Sequence, residues 1–185
     1  QEIYFRYIDF EINDFDNDFL MERCFEWFIF DYRLPEGDRV IERFQTMSFL
    51  NKEEKNLLNN WSNAINGLYE VKTVFPGKGL ILEDILSKNQ LMVMDSNAVK
   101  ETDCGSILYM RVLPVGNENE FSTSGLALTS SCRDKLIKRL SHDANRYWER
   151  VNSCRDWNIY LRERSHIVNS IVMKMTVYPG FDWLE

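Results

Sequence analysis

One aromatic stretch carries most of the polar chemistry in the first half of the chain. Phe25-Glu26-Trp27-Phe28-Ile29-Phe30-Asp31-Tyr32-Arg33-Leu34 sets Glu26, Asp31 and Arg33 among large apolar side chains. Charges in such surroundings must find partners. The three residues therefore read in one of two ways. They form a polar pocket that holds a ligand, or they form ion pairs (Asp31 with Arg33, Glu26 with an arginine) that satisfy the core. The second is the expected reading, because buried charges are usually kept in pairs.

A second constellation lies in the last third. Lys135, Arg139, His142, Arg146 and Arg150 are spaced four, three, four and four, with Lys138 close by. On a helix this spacing lines them along one face. Such a cationic stripe can follow a phosphate backbone. The plainer reading is a solvated face, partly neutralised by Asp143 and Glu149.

Other motifs are weaker. Asp14-Phe15-Asp16-Asn17-Asp18 opens like a calcium loop, but Phe19 stands where the loop needs Gly and Phe25 where it needs a bidentate Glu. It reads as an acidic lead into a helix. Gly77-Lys78-Gly79 is too short for a phosphate loop and precedes a strand rather than a helix, so it reads as a turn. His142 and His166 are the only histidines, and His142 falls on the polar side of its helix. Cys24, Cys104, Cys132 and Cys154 form no C-x-x-C and read as reduced thiols. No G-x-S-x-G or dinucleotide fingerprint occurs. No catalytic residue, metal or cofactor is assigned.

These groups need elements to hold them. Leu20, Met21, Cys24, Phe25, Trp27, Phe28 and Tyr32 predict a largely buried helix over 18–32, headed by Asn17 or Asp18. Leu34 to Asp38 breaks it, a helix follows over 38–48, and Asn51 with Glu54 marks a capping box for a third. From Gly67 the texture changes to strands at 68–75, 80–85, 91–95, 106–113 and 121–128, with turns at Pro76–Gly79 and Pro114–Glu120. Helix 132–152 follows, with Ser131 and Asp134 as a capping pair. Two more helices are expected over 157–164 and 166–177. Residues 1–12 fit a strand and a helix equally. The predicted fold is α+β: N-terminal helices (1–66), a five-stranded antiparallel sheet or small barrel (67–130) and C-terminal helices (131–185), in one compact unit.

Composition narrows the classes. The chain has 185 residues, 44% of them hydrophobic and 14% aromatic, which suffices for a core and disfavours disorder. No apolar run is long enough to span a bilayer. The net charge is −7, unevenly spread: residues 1–40 carry 11 acidic and 4 basic groups, residues 131–175 carry 5 and 10. The two segments either pack together and neutralise, or the basic one meets an anionic partner. Gln1–Asp18 is acidic and aromatic, unlike a leader, so a cytoplasmic location is expected. A first residue other than Met suggests a processed or excised chain.

The aromatic helix, followed by Ile41-Glu42-Arg43-Phe44, Leu68-Tyr69-Glu70-Val71 and Pro76-Gly77-Lys78-Gly79-Leu80, resembles a region of uncharacterised bacterial proteins. In those proteins an "EWFxFDYRL" helix precedes a β module with an "L.D.L" strand, here Leu82, Asp84 and Leu86. Some of them also carry a SecA-C-terminus-like zinc motif. The likeness spans about residues 22–128. It implies no established activity, and the clustered Cys and His of the zinc motif are absent here.

The expected function is a non-enzymatic binding or interaction module of a larger bacterial protein, with a protein segment as partner. The first alternative is a nucleic-acid-associated module using the 135–150 face. The second is an enzyme of unrecognised class. No membrane partner is expected, and the sequence sets no oligomeric state.

Overall fold

A computed structural model describes Tyr4 and residues 17–122, 125–152 and 154–177. From residue 17 on, three helices come before the sheet: α1 (Asn17–Phe30), α2 (Val40–Gln45) and α3 (Lys52–Asn63). Then come strands β1 (Asn66–Phe75), β2 (Gly79–Asp84) and β3 (Gln90–Val93), and a one-turn helix α4 (Ala98–Glu101). Strands β4 (Ile107–Val115), β5 (Glu118–Phe121) and β6 (Leu126–Leu128) follow. Helices α5 (Arg133–Val151), α6 (Trp157–Glu163) and α7 (Ser165–Val177) close the fold. The α+β class and the order of its parts are as the sequence implied.

The sheet is antiparallel with strand order β3-β2-β1-β4-β5. β6 continues on the β5 side of β4, pairing at 107–109 where β5 pairs at 112–115. Of the fifth strand expected over 121–128, the described residues are in strand at Phe121, the last residue of β5, and over 126–128 in β6; most of β5 lies where a turn was expected. The sheet curls until its edges meet: Met94 N donates to Asn119 O (2.8 Å), and Asn119 Nδ2 donates to Met92 O (3.0 Å). The turn expected at Pro114–Glu120 is tighter, since β4 runs through Val115 and Gly116 turns the chain with φ +62°. At Gly79, a Cβ would collide with the Val93 backbone, so β2 and β3 approach closely there.

β4 sorts the interior by alternation. Leu108 and Met110 point into the curl with Tyr69, Val71, Leu80, Leu82 and Val93. Ile107 and Tyr109 point outward, under Leu136, Leu140 and Ala144 of α5 and Val168, Val172 and Met173 of α7. Further along that outer face, Leu113 packs on Phe30 and Ile41. Arg111 lies between these two outer clusters.

Caps fix the helices. Asn51 Oδ1 accepts from Glu54 N (2.9 Å) while Glu54 Oε2 accepts from Asn51 N (2.7 Å), the capping box read from sequence. The box expected at Ser131 and Asp134 does not form. A 3₁₀ turn, Ser130–Cys132, leads into α5; Ser131 Oγ meets Thr129 Oγ, and Asp134 bonds Arg133. A further correction concerns α1. Its Leu20, Cys24 and Trp27 edge is buried, but Phe25 (55% exposed), Phe28 and Ile29 stand open. The wide apolar stripe therefore covers one face packed in the core and one left uncovered by the described residues. The residues 1–12 assignment and the acidic loop from Asp14 to Asp16 fall outside the described residues, Tyr4 apart.

Candidate functional site: a buried arginine between a groove and a pocket

Arg111 is the centre of the polar interior. It is fully buried, and its guanidinium lies 4.4 Å from the Phe30 ring centroid. Its Nε donates to Glu26 Oε1 (3.1 Å), Nη2 to Asp31 Oδ2 (2.8 Å) and Nη1 to the carbonyl of Ala64 (2.5 Å). α1 supplies both carboxylates, and the end of α3 supplies the carbonyl. Arg39 takes two more carbonyls near these helix ends, donating to Phe30 O (3.0 Å) and Ser62 O (2.9 Å), and pairs with Glu42 (2.7 Å).

The two carboxylates differ. Glu26 is held on both oxygens: Oε1 also accepts from Ser122 Oγ (2.5 Å), and Oε2 accepts from Arg23 Nη1 (2.6 Å). Burial pushes its carboxyl up, but Arg23 and Arg111 outweigh that and the net direction is down. Asp31 has one held oxygen, and its Oδ1 has no partner among the described residues. Burial prevails over Arg111 there and pushes that carboxyl up. The Asp31–Arg33 pair expected from sequence does not form. Arg33 instead bonds Glu163 (3.0 Å) and Gly37 O (3.1 Å) near the surface.

On one side of this cluster lies an open groove of about 610 Å³. Phe25, Ile29 and Phe30 of α1, Val40, Ile41 and Phe44 of α2, Leu58 and Trp61 of α3 and Leu113 of β4 make its walls. Trp61 Nε1 donates to Pro114 O (2.9 Å), fixing α3 on the strand. Glu26 and Ser122 also line it, and Glu22 stands at its rim. Glu120 faces Leu113 across the β4–β5 ladder and Glu118 faces Val115, so both lie on the groove side of the sheet; both are exposed. Phe49, 71% exposed, packs edge-on against Phe44 (5.9 Å) just beyond.

On the other side is a smaller cavity of about 220 Å³, lined by residues from α1, α6 and α7 and the chain after α1, Asp31 and Arg33 among them. The sequence-predicted trio is therefore split: Glu26 belongs to the groove, Asp31 and Arg33 to the cavity.

The basic stripe forms as expected. Lys135, His142, Arg146 and Arg150 are exposed and Arg139 is half-buried, opposite Leu136, Leu140, Ala144 and Trp148. Asp143 does not neutralise it. That carboxylate is drawn to the neighbouring helices, accepting from Arg164 (3.0 Å) and from the Tyr160 hydroxyl (2.9 Å). Among the described residues, Lys135, Lys138, Arg139, Arg146 and Arg150 make no ion pair.

A model of a family of unknown function, DUF7986, matches residues 6–158, more than four-fifths of the chain. The chain belongs to this family. The match takes in α1 to α5 with the whole sheet, so the groove and Arg111 lie within it, whereas the cavity's α7 wall lies beyond. No curated protein and no solved structure matches the chain.

Sequence reasoning missed Arg111, Arg39, Ser122 and the whole groove. A signal for Arg111 was present: in Ile107-Leu108-Tyr109-Met110-Arg111-Val112-Leu113 it shares the period-2 face of Ile107, Tyr109 and Leu113. An arginine on a core face demands carboxylates, and α1 holds two. No helix among the described residues is long and apolar enough to cross a membrane, and no group of three or more metal-ligating side chains occurs among them. No disulfide joins cysteines among the described residues.

Proposed function

We propose that this chain is a protein-binding module whose site is the aromatic groove between α1, α2, α3 and β4. The observation that carries this is the exposure of Phe25, Ile29 and Phe44 around one continuous concave surface. Soluble chains rarely leave such a patch uncovered unless something docks there. The occupant is an amphipathic helical segment of a partner. Its apolar side chains at i, i+3/i+4 and i+7 enter between α1 and α3, and Lys or Arg at its flanks meets Glu22, Glu118 and Glu120. Selecting helical peptides from a displayed random library tests this. Basic-flanked sequences with aromatic or leucine anchors should be enriched. Enrichment of acidic sequences, or of none over background, overturns it.

A second reading rests on a different surface. The α5 cations that make no ion pair among the described residues support contact with a nucleic-acid backbone. Anisotropy of labelled DNA and RNA at about 50 and 200 mM salt decides it, because phosphate-driven binding collapses over that range. Binding that vanishes with Arg139→Glu/Arg146→Glu supports this reading, and no binding at the lower salt removes it.

A further inference from the structure

Ser122 is the polar point inside the aromatic groove. Of the three polar residues that line it, Glu22 stands at the rim and the Glu26 side chain is closed to solvent, which leaves the half-buried Ser122. Its position follows from the sheet. β5 ends at Phe121 opposite Val112, and Ser122 N then donates to the carbonyl of Arg111 (3.1 Å). By the alternation of the ladder, the Ser122 side chain shares the outer face with that of Arg111, against α1.

The chemistry of its hydroxyl has a fixed sign. Burial raises the Glu26 carboxyl, but Arg23 and Arg111 together bring it below its ordinary value, so it is an anion at neutral pH with no proton to give. The Ser122 proton is therefore committed to Glu26 Oε1 (2.5 Å). No other hydrogen bond reaches Ser122 Oγ among the described residues. Toward the groove this oxygen can only accept. The charge behind it is balanced, Glu26 and Asp31 against Arg23 and Arg111. Nothing there draws a full cation out of water and in between apolar walls. The group that fits is neutral, large and apolar, with one N–H or O–H to give. A tyrosine hydroxyl that donated here would leave its own oxygen in apolar surroundings, whereas an indole has a donor and no acceptor.

We propose that the partner helix in this groove is anchored by a tryptophan whose indole N–H donates to Ser122 Oγ. This rests on the groove reading and adds to it the identity of the central anchor. The flanking Lys or Arg stay at the acidic rim of Glu22, Glu118 and Glu120. The groove's volume of about 610 Å³ holds an indole with room for the neighbouring apolar anchors. Ser122 thereby selects tryptophan over phenylalanine or leucine, which would bury its lone pairs without a donor.

The probes are peptides of one sequence. The parent is a basic-flanked amphipathic helix selected on the whole chain, with tryptophan at the central anchor. Its copies carry benzothienylalanine, phenylalanine or lysine there; benzothienylalanine keeps the bicyclic shape and replaces the N–H by sulfur. Anisotropy should show the tryptophan peptide binding about fivefold or more tighter than each copy, the scale of a buried acceptor left without its donor. Ser122→Ala should bring the tryptophan and benzothienylalanine peptides to within about twofold of each other. The comparison on the unaltered chain decides the matter even if Ser122→Ala fails to fold. Equal affinity of those two peptides for the unaltered chain, or tighter binding with lysine, overturns the tryptophan anchor. So does a selection whose groove binders carry no tryptophan. In each of these cases binding is still lost on Phe25→Ser/Phe44→Ser, and the groove reading survives. A selection that yields nothing sensitive to those two substitutions ends both.

Discussion

Replacing Arg111 with methionine tests the architecture most severely. The side chain is of similar length and apolar, so little volume is lost, but three hydrogen bonds go with the guanidinium. The consequence differs between its two acids. Glu26 keeps Arg23 and Ser122, whereas Asp31 keeps no side-chain cation at bonding distance among the described residues. Both carboxylates are almost wholly inaccessible to water. Removing one partner of a buried pair costs about 3–5 kcal/mol, a large part of a total stability of about 5–15 kcal/mol. Urea unfolding at pH 7 should therefore show Arg111→Met destabilised by about 4 kcal/mol. Most of that is the desolvated charge of Asp31, so adding Asp31→Asn should recover about 1–2 kcal/mol through coupling of neighbours. The pH dependence has a definite sign. In the native chain Glu26 has a lowered folded pKa, so its contribution is present above the ordinary carboxylate range and is lost on acidification. Asp31, with a raised folded pKa, works the other way, its contribution fading as pH rises through that value. Without Arg111 both carboxyls rise, so the variant's deficit should shrink between pH 7 and pH 5. A deficit below about 1 kcal/mol, the range of ordinary surface substitutions and mild core changes, or one that grows on acidification, would refute this reasoning.

Three further outcomes follow from the same structure. Burial and the nearby Arg164 lower His166 to about 4 from its ordinary 6.5, so stability should fall as pH drops from about 6.5 to 4, by about 3 kcal/mol in all; His166→Gln should flatten that limb of a pH–stability curve. Asn51→Ala removes one half of the α3 capping box and should cost about 1 kcal/mol in thermal or urea unfolding. Phe49→Ser changes a ring that is mostly in solvent, so stability should stay within about 0.5 kcal/mol, while binding of an apolar dye to the groove region should fall.

The helices and strands were legible because their signals are local. The α5 stripe, the Asn51–Glu54 box and the alternation of the strands each depend on residues a few positions apart. The site was not, because it is made by long-range meeting. Arg111 reaches Asp31 across 80 positions and Glu26 across 85, and Ser122 reaches Glu26 across 96. Glu26 and Asp31 were singled out from their aromatic setting, but the nearest arginine in sequence, Arg33, was the wrong partner. It follows α1 at the point where the chain turns outward, and it meets Glu163 of α6 instead. The α1 residues Phe25, Phe28 and Ile29 misled in the opposite direction. A wide apolar stripe implies a largely buried helix, and nothing local distinguishes the part of it packed in the core from the part turned to a groove. The Ser131–Asp134 box failed because the 3₁₀ turn Ser130–Cys132 moved the start of α5 by one residue.

The groove is the central claim, and its most direct test is the affinity of one selected basic amphipathic peptide for two forms of the chain. Fluorescence anisotropy would compare the wild type with Phe25→Ser/Phe44→Ser, after thermal unfolding has shown both to be folded. Aromatic anchors at the centre of an interface typically cost about 2 kcal/mol or more each when removed, so the account predicts a loss of at least about a hundredfold. Equal affinity for the two forms would contradict it and would place the peptide elsewhere on the chain.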